Sequence, residues 1–331
     1  MALDPVPWAV GNGAENSVEG ARLSLYASTG GRGGVMSPTD MRVSALPVPG
    51  GAVRVHTGGV VIVSGYPGAS SQAYAARETS STDVEIDATG SSGSRTRYLV
   101  VRVHDHQYAG ESAPESVEHG PYNQYEWVSQ DPRTSKLPYP VEGLAKVVQP
   151  ANTATITNDM IEDIREVANP RTLDVWRPRA LLHSEDEALG VSSEDGEWFP
   201  NIGGQQMVYI PEWATRVLIS ASWLQIRVGY GEHAYGQMWV EYGPHLRPST
   251  RERTTQRYQW DTVGSRATTY RENWIVEDDC YIPKAYRGTT QAFIMKARRD
   301  GSTPVGAVKL DGVSGVSLKL RFLEIADPSS T

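Results

Sequence analysis

Gly59-Val60-Val61-Ile62-Val63-Ser64-Gly65-Tyr66-Pro67-Gly68-Ala69-Ser70-Ser71-Gln72-Ala73-Tyr74-Ala75-Ala76 is the stretch on which the fold turns. Val60 to Val63 is the longest unbroken aliphatic run in the chain, far short of the roughly 20 apolar residues of a membrane helix. Pro67-Gly68 and Ser70-Ser71 carry turn chemistry, and a second short run follows, so the stretch reads as strand, turn, strand. The same pattern recurs along the chain: short runs of period two, broken by Gly, Pro, Ser, Thr and Asp. Strands are expected at 41–46, 52–56, 59–63, 72–76, 83–87 and 97–104. They are expected again at 206–210, 216–228, 235–242, 254–261, 268–277, 291–297, 306–309 and 316–325. The sequence contains 32 Gly and 21 Pro, which gives this many turns their residues.

Two segments carry a helical period. Ser17 caps a first helix to about Ser28, with Val18, Ala21 and Leu25 on one stripe and Gly30-Gly31 as its stop. A second is expected over 158–168, with Met160, Ile161, Ile164, Val167 and Ala168 on one face, Thr157 before it and Asn169-Pro170 after it. Eleven residues are marginal alone, so that stripe must lie on its own domain or on a copy of itself. Met160, Ile161, Ile164 and Val167 are the candidate contacts of a trimer. The stretch 109–144 lacks a period and reads as a surface excursion. Hydrophilic 171–196 reads as a linker. The chain is therefore expected to be mainly β, with an N-terminal β-domain (1–150), a linker bearing a short helix (151–196) and a C-terminal jelly-roll-like β-sandwich (197–331).

The formal charge of −8 is spread evenly, with 11 basic against 15 acidic residues in 1–150 and 20 against 24 in 151–331. No concentrated basic footprint marks a nucleic-acid partner. The start lacks a secretory leader, so the chain is expected to be made and kept in the cytosol of its maker. Cys280 is the single cysteine and has no intramolecular partner.

Catalytic signatures are missing: there is no Gly-x-Ser-x-Gly elbow, phosphate loop, His-Glu-x-x-His or dinucleotide fingerprint. His104-Asp105-His106 offers two imidazoles to one side of a strand but no third ligand, so no metal, and no other cofactor, is expected. Aromatic residues give the stronger signal. Of nine Trp, six follow residue 195. Trp239, Trp260 and Trp274 are candidate platforms for sugar rings, although any one Trp is more often a core residue. In the run from Arg251 to Trp260, period two places Arg251, Arg253 and Arg257 on one face, where guanidinium groups could hold anionic groups of a cell-wall glycan. A solvated sheet face accounts for the same pattern.

The N-terminal residues carry a resemblance. Leu3-Asp4-Pro5-Val6-Pro7-Trp8, then Ala21-Arg22, Gly30-Gly31, Gly34-Val35 and Asp40-Met41-Arg42-Val43 are similar to the start of minor tail proteins of siphophages that infect actinobacteria. It continues through Tyr98 to Val103, Asp105, Gln107-Tyr108, Gly110, Met160-Ile161 and Asn169-Pro170-Arg171, over roughly the first 180 residues. The resemblance implies a non-enzymatic structural component of the virion, at the tail tip or baseplate. Its N-terminal domain would dock to other tail proteins, and its C-terminal domain would be displayed for host attachment or a neighbouring subunit. It also implies homo-oligomers, most often trimers. A purely architectural baseplate or collar protein and, less favoured, a wall-degrading tail enzyme are the alternatives.

Overall fold

The structure is a computed structural model and describes residues 10–327 apart from 12, 136, 181–185, 202, 230–232, 245–253 and 263–267. It is mainly β, built of antiparallel sheets, with one α-helix among the described residues. The chain divides into two compact units. The first runs to Pro170 and regains the segment from Ile325; the second is Arg171–Glu324.

In the first unit, Gly58–Val63 is the middle strand of a three-stranded sheet between Gly34–Val35 and Ala73–Glu78. The aliphatic run is continuous because both of its sides are covered. Val60 and Ile62 enter the main core with Val53, Leu99, Val101 and Leu144, while Val61 packs with Ala73 against Leu25 and Tyr26 of the helix Val18–Ser28. The helix is capped as the sequence predicts: Ser17 Oγ accepts from the Gly20 amide at 3.1 Å, and Gly30 and Gly31 follow at φ of +61° and +77°. A second sheet joins Val43–Ala45, Ala52–Val55 and Thr82–Glu85. A third orders Ile161–Asp163, Val141–Gln149, Arg95–Val103 and Asn123–Val128. The last of these strands and the start of Val141–Gln149 lie in the stretch expected to be a surface excursion.

The helix expected over 158–168 does not form. Asn158–Met160 is a single 3-10 turn, and Ile161–Asp163 pairs with Ala145–Val147, with Lys146 Nζ 2.6 Å from Glu162. The Arg165 guanidinium is clamped by Asp163 at 2.7 Å and donates to the Asp40 carbonyl, and Val167 bridges Val35 in parallel. The reason is energetic. A short segment rich in β-branched residues gains little as a helix, whereas the edge of the Val141–Gln149 strand offers backbone partners at once. Ile164 and Val167 are buried in this unit's core, with Met160 and Ile161 packed partly against it, so this stripe is not the trimer contact expected of it.

The second unit is a β-sandwich. In one sheet Thr172–Ala180, Gly315–Leu323 and Arg216–Val228 lie side by side. Tyr270–Tyr281 and Val308–Leu310 both pair with Arg216–Val228, and Glu187–Ala188 lies beyond the latter. In the other, Thr290–Arg299 pairs with Gln205–Tyr209, Glu197–Trp198 and Tyr235–Gly243, and Tyr258–Asp261 follows. Thus 171–196 is not a linker, since it supplies an edge strand of nine residues. Alternate side chains from both sheets meet in the core, among them Val217, Ile219, Trp223, Leu318 and Phe322 against Val240, Tyr242, Phe293 and Met295. Trp260 and Trp274 are stacked there with ring centres 4.7 Å apart, and the Trp223 indole N–H donates to the Phe199 carbonyl. Cys280 is a buried thiol, its pKa pushed up to about 12 by burial and by Asp278 and Asp279.

Candidate functional site

On the first sheet of the sandwich, residues that alternate with the core side chains point away from it. Cross-strand register sets them in rows: Asp174, Arg321, Leu218, Asp279; then Trp176, Lys319, Ser220, Glu277; then Pro178, Ser317, Ser222, Ile275. Three side chains on this face are apolar and well exposed: Trp176 at 60%, Ile275 at 53% and Leu218 at 37%. Trp176 and Leu218 line a groove of about 640 Å3 with Asp174, Lys319 and Arg321, and Ile275 stands outside it. Two ion pairs lie within the sheet on this face. Arg321 grips Asp174 (2.7 Å) and Arg216 grips Asp279 (2.6 Å), in each case holding the carboxylate and guanidinium side by side. Trp176 is fixed: its indole N–H donates to Ser317 Oγ at 2.8 Å, and Lys319 Nζ lies 5.5 Å from the ring centre. A rigid aromatic ring among paired charges and aliphatic side chains is the composition of a protein contact surface.

The second sheet carries a different outer face. Met238, Val240 and Tyr242 point to the core, so Trp239 and Glu241 point outward. Yet Trp239 is fully buried. The Arg257 guanidinium sits 4.2 Å above its ring, Lys296 Nζ is 5.7 Å from the ring centre, and the Gly196 backbone presses on its benzo edge. Gly196, at φ +58°, belongs to the acidic segment Ser192–Gly196, whose Glu194 carboxylate reaches both Arg298 (2.6 Å) and Arg257 (3.3 Å). The indole N–H donates to Glu241 Oε1 at 2.9 Å, and Lys296 Nζ meets Oε2 of the same carboxylate at 3.1 Å.

The first unit ties its helix to the long strand Arg95–Val103 through residues that carry the resemblance. Arg22 meets Asp105 at 2.7 Å, Tyr74 OH donates to the same carboxylate, and Gln107 donates to Glu19 at 2.7 Å. Beside them the buried Glu111 carboxylate takes His104 Nδ1 and Tyr66 OH at 2.9 Å and Arg102 at 3.2 Å. Burial pulls its pKa up, but these hydrogen bonds outweigh burial and hold it below the usual range. His104 and Asp105 are thus members of a hydrogen-bonded latch at the end of the strand. Among the described residues, no three His, Cys, Asp or Glu side chains are placed to hold a metal ion, and no helix is long and apolar enough to cross a membrane.

Several sequence candidates change place. Arg251 and Arg253 lie outside the described residues. Arg257 does stand on an outer face beside Trp239, but it faces Glu194 and the indole. Trp260 and Trp274 are core residues and offer no surface to a sugar, because the strands that carry them turn these positions inward. Among the described residues the exposed tryptophan is Trp176, which lies in the segment expected to be a linker. Its signal was present in Thr172-Leu173-Asp174-Val175-Trp176, whose alternation marks a strand, and in Pro178, which suits an edge.

No family model and no curated protein matches the chain. Among solved structures it is similar to the VP2 subviral particle of infectious bursal disease virus, at a TM-score of 0.27 and 11% identity over 89% of this chain and 68% of that one. It is also similar to the Gx strain of the same virus, at a TM-score of 0.21 and 8% identity over 89% and 75%. Likenesses of this size carry no argument about fold or role.

Proposed function

We propose that the chain is a structural component of a virion, a minor tail protein of the siphophage type, in which the first unit docks to other tail proteins and the second contacts a neighbouring subunit. The exposed row face of the sandwich carries this reading: Trp176, Leu218 and Ile275 stand on a sheet beside two ion pairs, Arg321–Asp174 and Arg216–Asp279. A surface of this kind gains from covering its apolar residues, and charges already paired cost less to cover than lone ones. The first unit adds a second support. Arg22, Asp105 and Gln107, which belong to the tail-protein pattern, meet in one cluster and hold the helix to the sheet, so three residues of the pattern serve one local construction in this chain.

Self-association is part of the proposal, a trimer being the favoured form, but it must use surfaces other than the 158–168 segment. Gold-labelled antibody raised against the chain is expected at the tail tip of purified virions. Label on the capsid shell, or on no part of the particle, overturns the assignment. Within that frame, Trp176→Ala and Ile275→Asp should each weaken capture of the adjoining tail protein while leaving the fold intact. Unchanged capture would remove the row face from the contact.

A further inference from the structure

We infer that the strap Ser192–Gly196 covers a binding site for a carboxylated glycan, with Trp239 as the apolar platform and Arg257 and Arg298 as the carboxylate grip. The site is separate from the row face and does not depend on where the chain sits in a virion.

The Glu194 side chain marks where a ligand carboxylate would lie. One of its oxygens takes Arg298 Nη1 at 2.6 Å and the other Arg257 Nη1 at 3.3 Å, so two guanidinium groups converge on a single planar anion. Arg298 is held for this task, since its Nε donates to Gln237 Oε1 at 3.0 Å. Trp239 stands on the outer face of its sheet, where its burial contributes nothing to the sandwich core, and the indole is anchored by its N–H to Glu241. An indole beside paired guanidinium groups suits a uronate residue: the C–H groups of the pyranose would pack along the benzo edge that Gly196 now covers, Arg257 keeping the ring face, while the carboxylate meets the arginines. A free phosphate or a simple carboxylic acid would leave the ring unused.

The strap would have to lift at its tip for the ligand to enter. Its ends are pinned, with Arg299 N donating to the Val191 carbonyl at 2.9 Å on one side and Glu197–Trp198 paired with Lys296 and Ala297 on the other. Its tip, Ser192-Ser193-Glu194-Asp195, is exposed and contains no apolar side chain. A Cβ at position 196 would collide with the Trp239 ring and stand 2.8 Å from the Ala297 carbonyl. Only glycine lets the strap lie this close to the indole, and the close fit hides Trp239 from water. An incoming uronate would replace the Glu194 carboxylate on the same two arginines, so the strap competes with the ligand.

The test uses the full chain and polygalacturonate, titrated calorimetrically, with tryptophan fluorescence as the second readout. Glu194→Gln, a change at an exposed position, is expected to tighten binding at least tenfold over the unaltered chain. Adding Arg298→Ala to Glu194→Gln should abolish that gain, and fully methyl-esterified polygalacturonate should not bind. Near-ultraviolet circular dichroism checks that each variant remains folded. Equal affinity before and after Glu194→Gln overturns the inference, as does equal affinity for the esterified polymer. Tighter binding of poly-glutamate than of polygalacturonate would overturn the glycan assignment. None of these outcomes bears on the antibody result, so a failure here and a failure of the virion assignment remain distinguishable.

Discussion

Trp176 and Trp239 stand on the outer faces of the two sheets of one sandwich, each with a lysine ammonium about 5.5 Å from the ring centre and each with its indole N–H bonded to a nearby side chain. One is 60% exposed and the other is fully buried. The difference comes from what lies against the second ring: Gly196 at its benzo edge and the Arg257 guanidinium 4.2 Å from its centre. Direction of a side chain away from a core therefore does not decide its exposure. What the rest of the chain lays over it does.

The comparison can be broken most sharply through the tryptophans that belong to neither outer face. Trp274→Ala removes a ring stacked on Trp260 within the core, and should lower the unfolding free energy of the second unit by about 3–5 kcal/mol in denaturant titration. A loss below about 1 kcal/mol would mean that the sandwich core does not close as described.

Two carboxylates, one in each unit, repeat the contrast between covered and open. Glu142 points toward the Gly33 backbone and lies near Glu166, and burial first, then the Glu166 charge, pushes its pKa up to about 8, whereas Glu194 stands exposed on the strap. The folded value lies above the unfolded one, near 4.5, so the stability this carboxyl contributes is complete below about pH 4.5. It is lost as pH rises, because the unfolded chain releases the proton while the folded chain retains it, and the loss ends above about pH 8. The slope cannot exceed about 1.4 kcal/mol per pH unit for one group. Hydrogen exchange of the Val141–Gln149 strand should accelerate through this window beyond its intrinsic pH dependence, and Glu142→Gln should remove the excess.

Gly196→Ala addresses the strap itself. The residue would have to hold φ +58° with its Cβ against Trp239 and the Ala297 carbonyl, which should cost about 1–3 kcal/mol in denaturant titration. The strap should lift instead of the sandwich unfolding, and a red shift in tryptophan emission with native circular dichroism would report it. The smallest effect on stability is expected from Trp176→Ala, within about 0.5 kcal/mol, because its ring is mostly in water already. A loss of several kcal/mol there would mean that the row face is part of the folding core and not a surface kept for a partner.

Much of this architecture was legible in the sequence where one period acted alone. The strands 216–228 and 235–242 alternate cleanly, and the observed elements fall on them within a residue or two. The cap at Ser17 and the glycine stop at Gly30-Gly31 were equally plain, since each has a local mechanism. The segment 158–168 shows where a local reading fails: apolar residues at helical spacing also satisfy a short edge strand followed by two inward anchors, Ile164 and Val167. Only the free edge of a distant strand decides between them. The site was legible in part. Trp239 and Arg257 were singled out together and do meet, but their cover comes from Glu194 and Gly196, some 45 to 60 residues away, and no period announces a contact of that kind.

The division of the chain gives the second unit a particular standing. It enters at Arg171 and leaves at Glu324, and these two residues are clasped to one another: Glu324 N donates to the Arg171 carbonyl at 3.1 Å, and the two side chains form a two-pronged ion pair at 2.6 and 2.8 Å. The segment that follows returns to the first unit, where the Asp327 amide donates to the Pro38 carbonyl at 3.1 Å. The sandwich is thus a cassette with adjacent ends, inserted within another fold. Such a cassette meets its host fold at two junctions, before Arg171 and after Glu324, that lie side by side, so its replacement changes the first unit at one place in space.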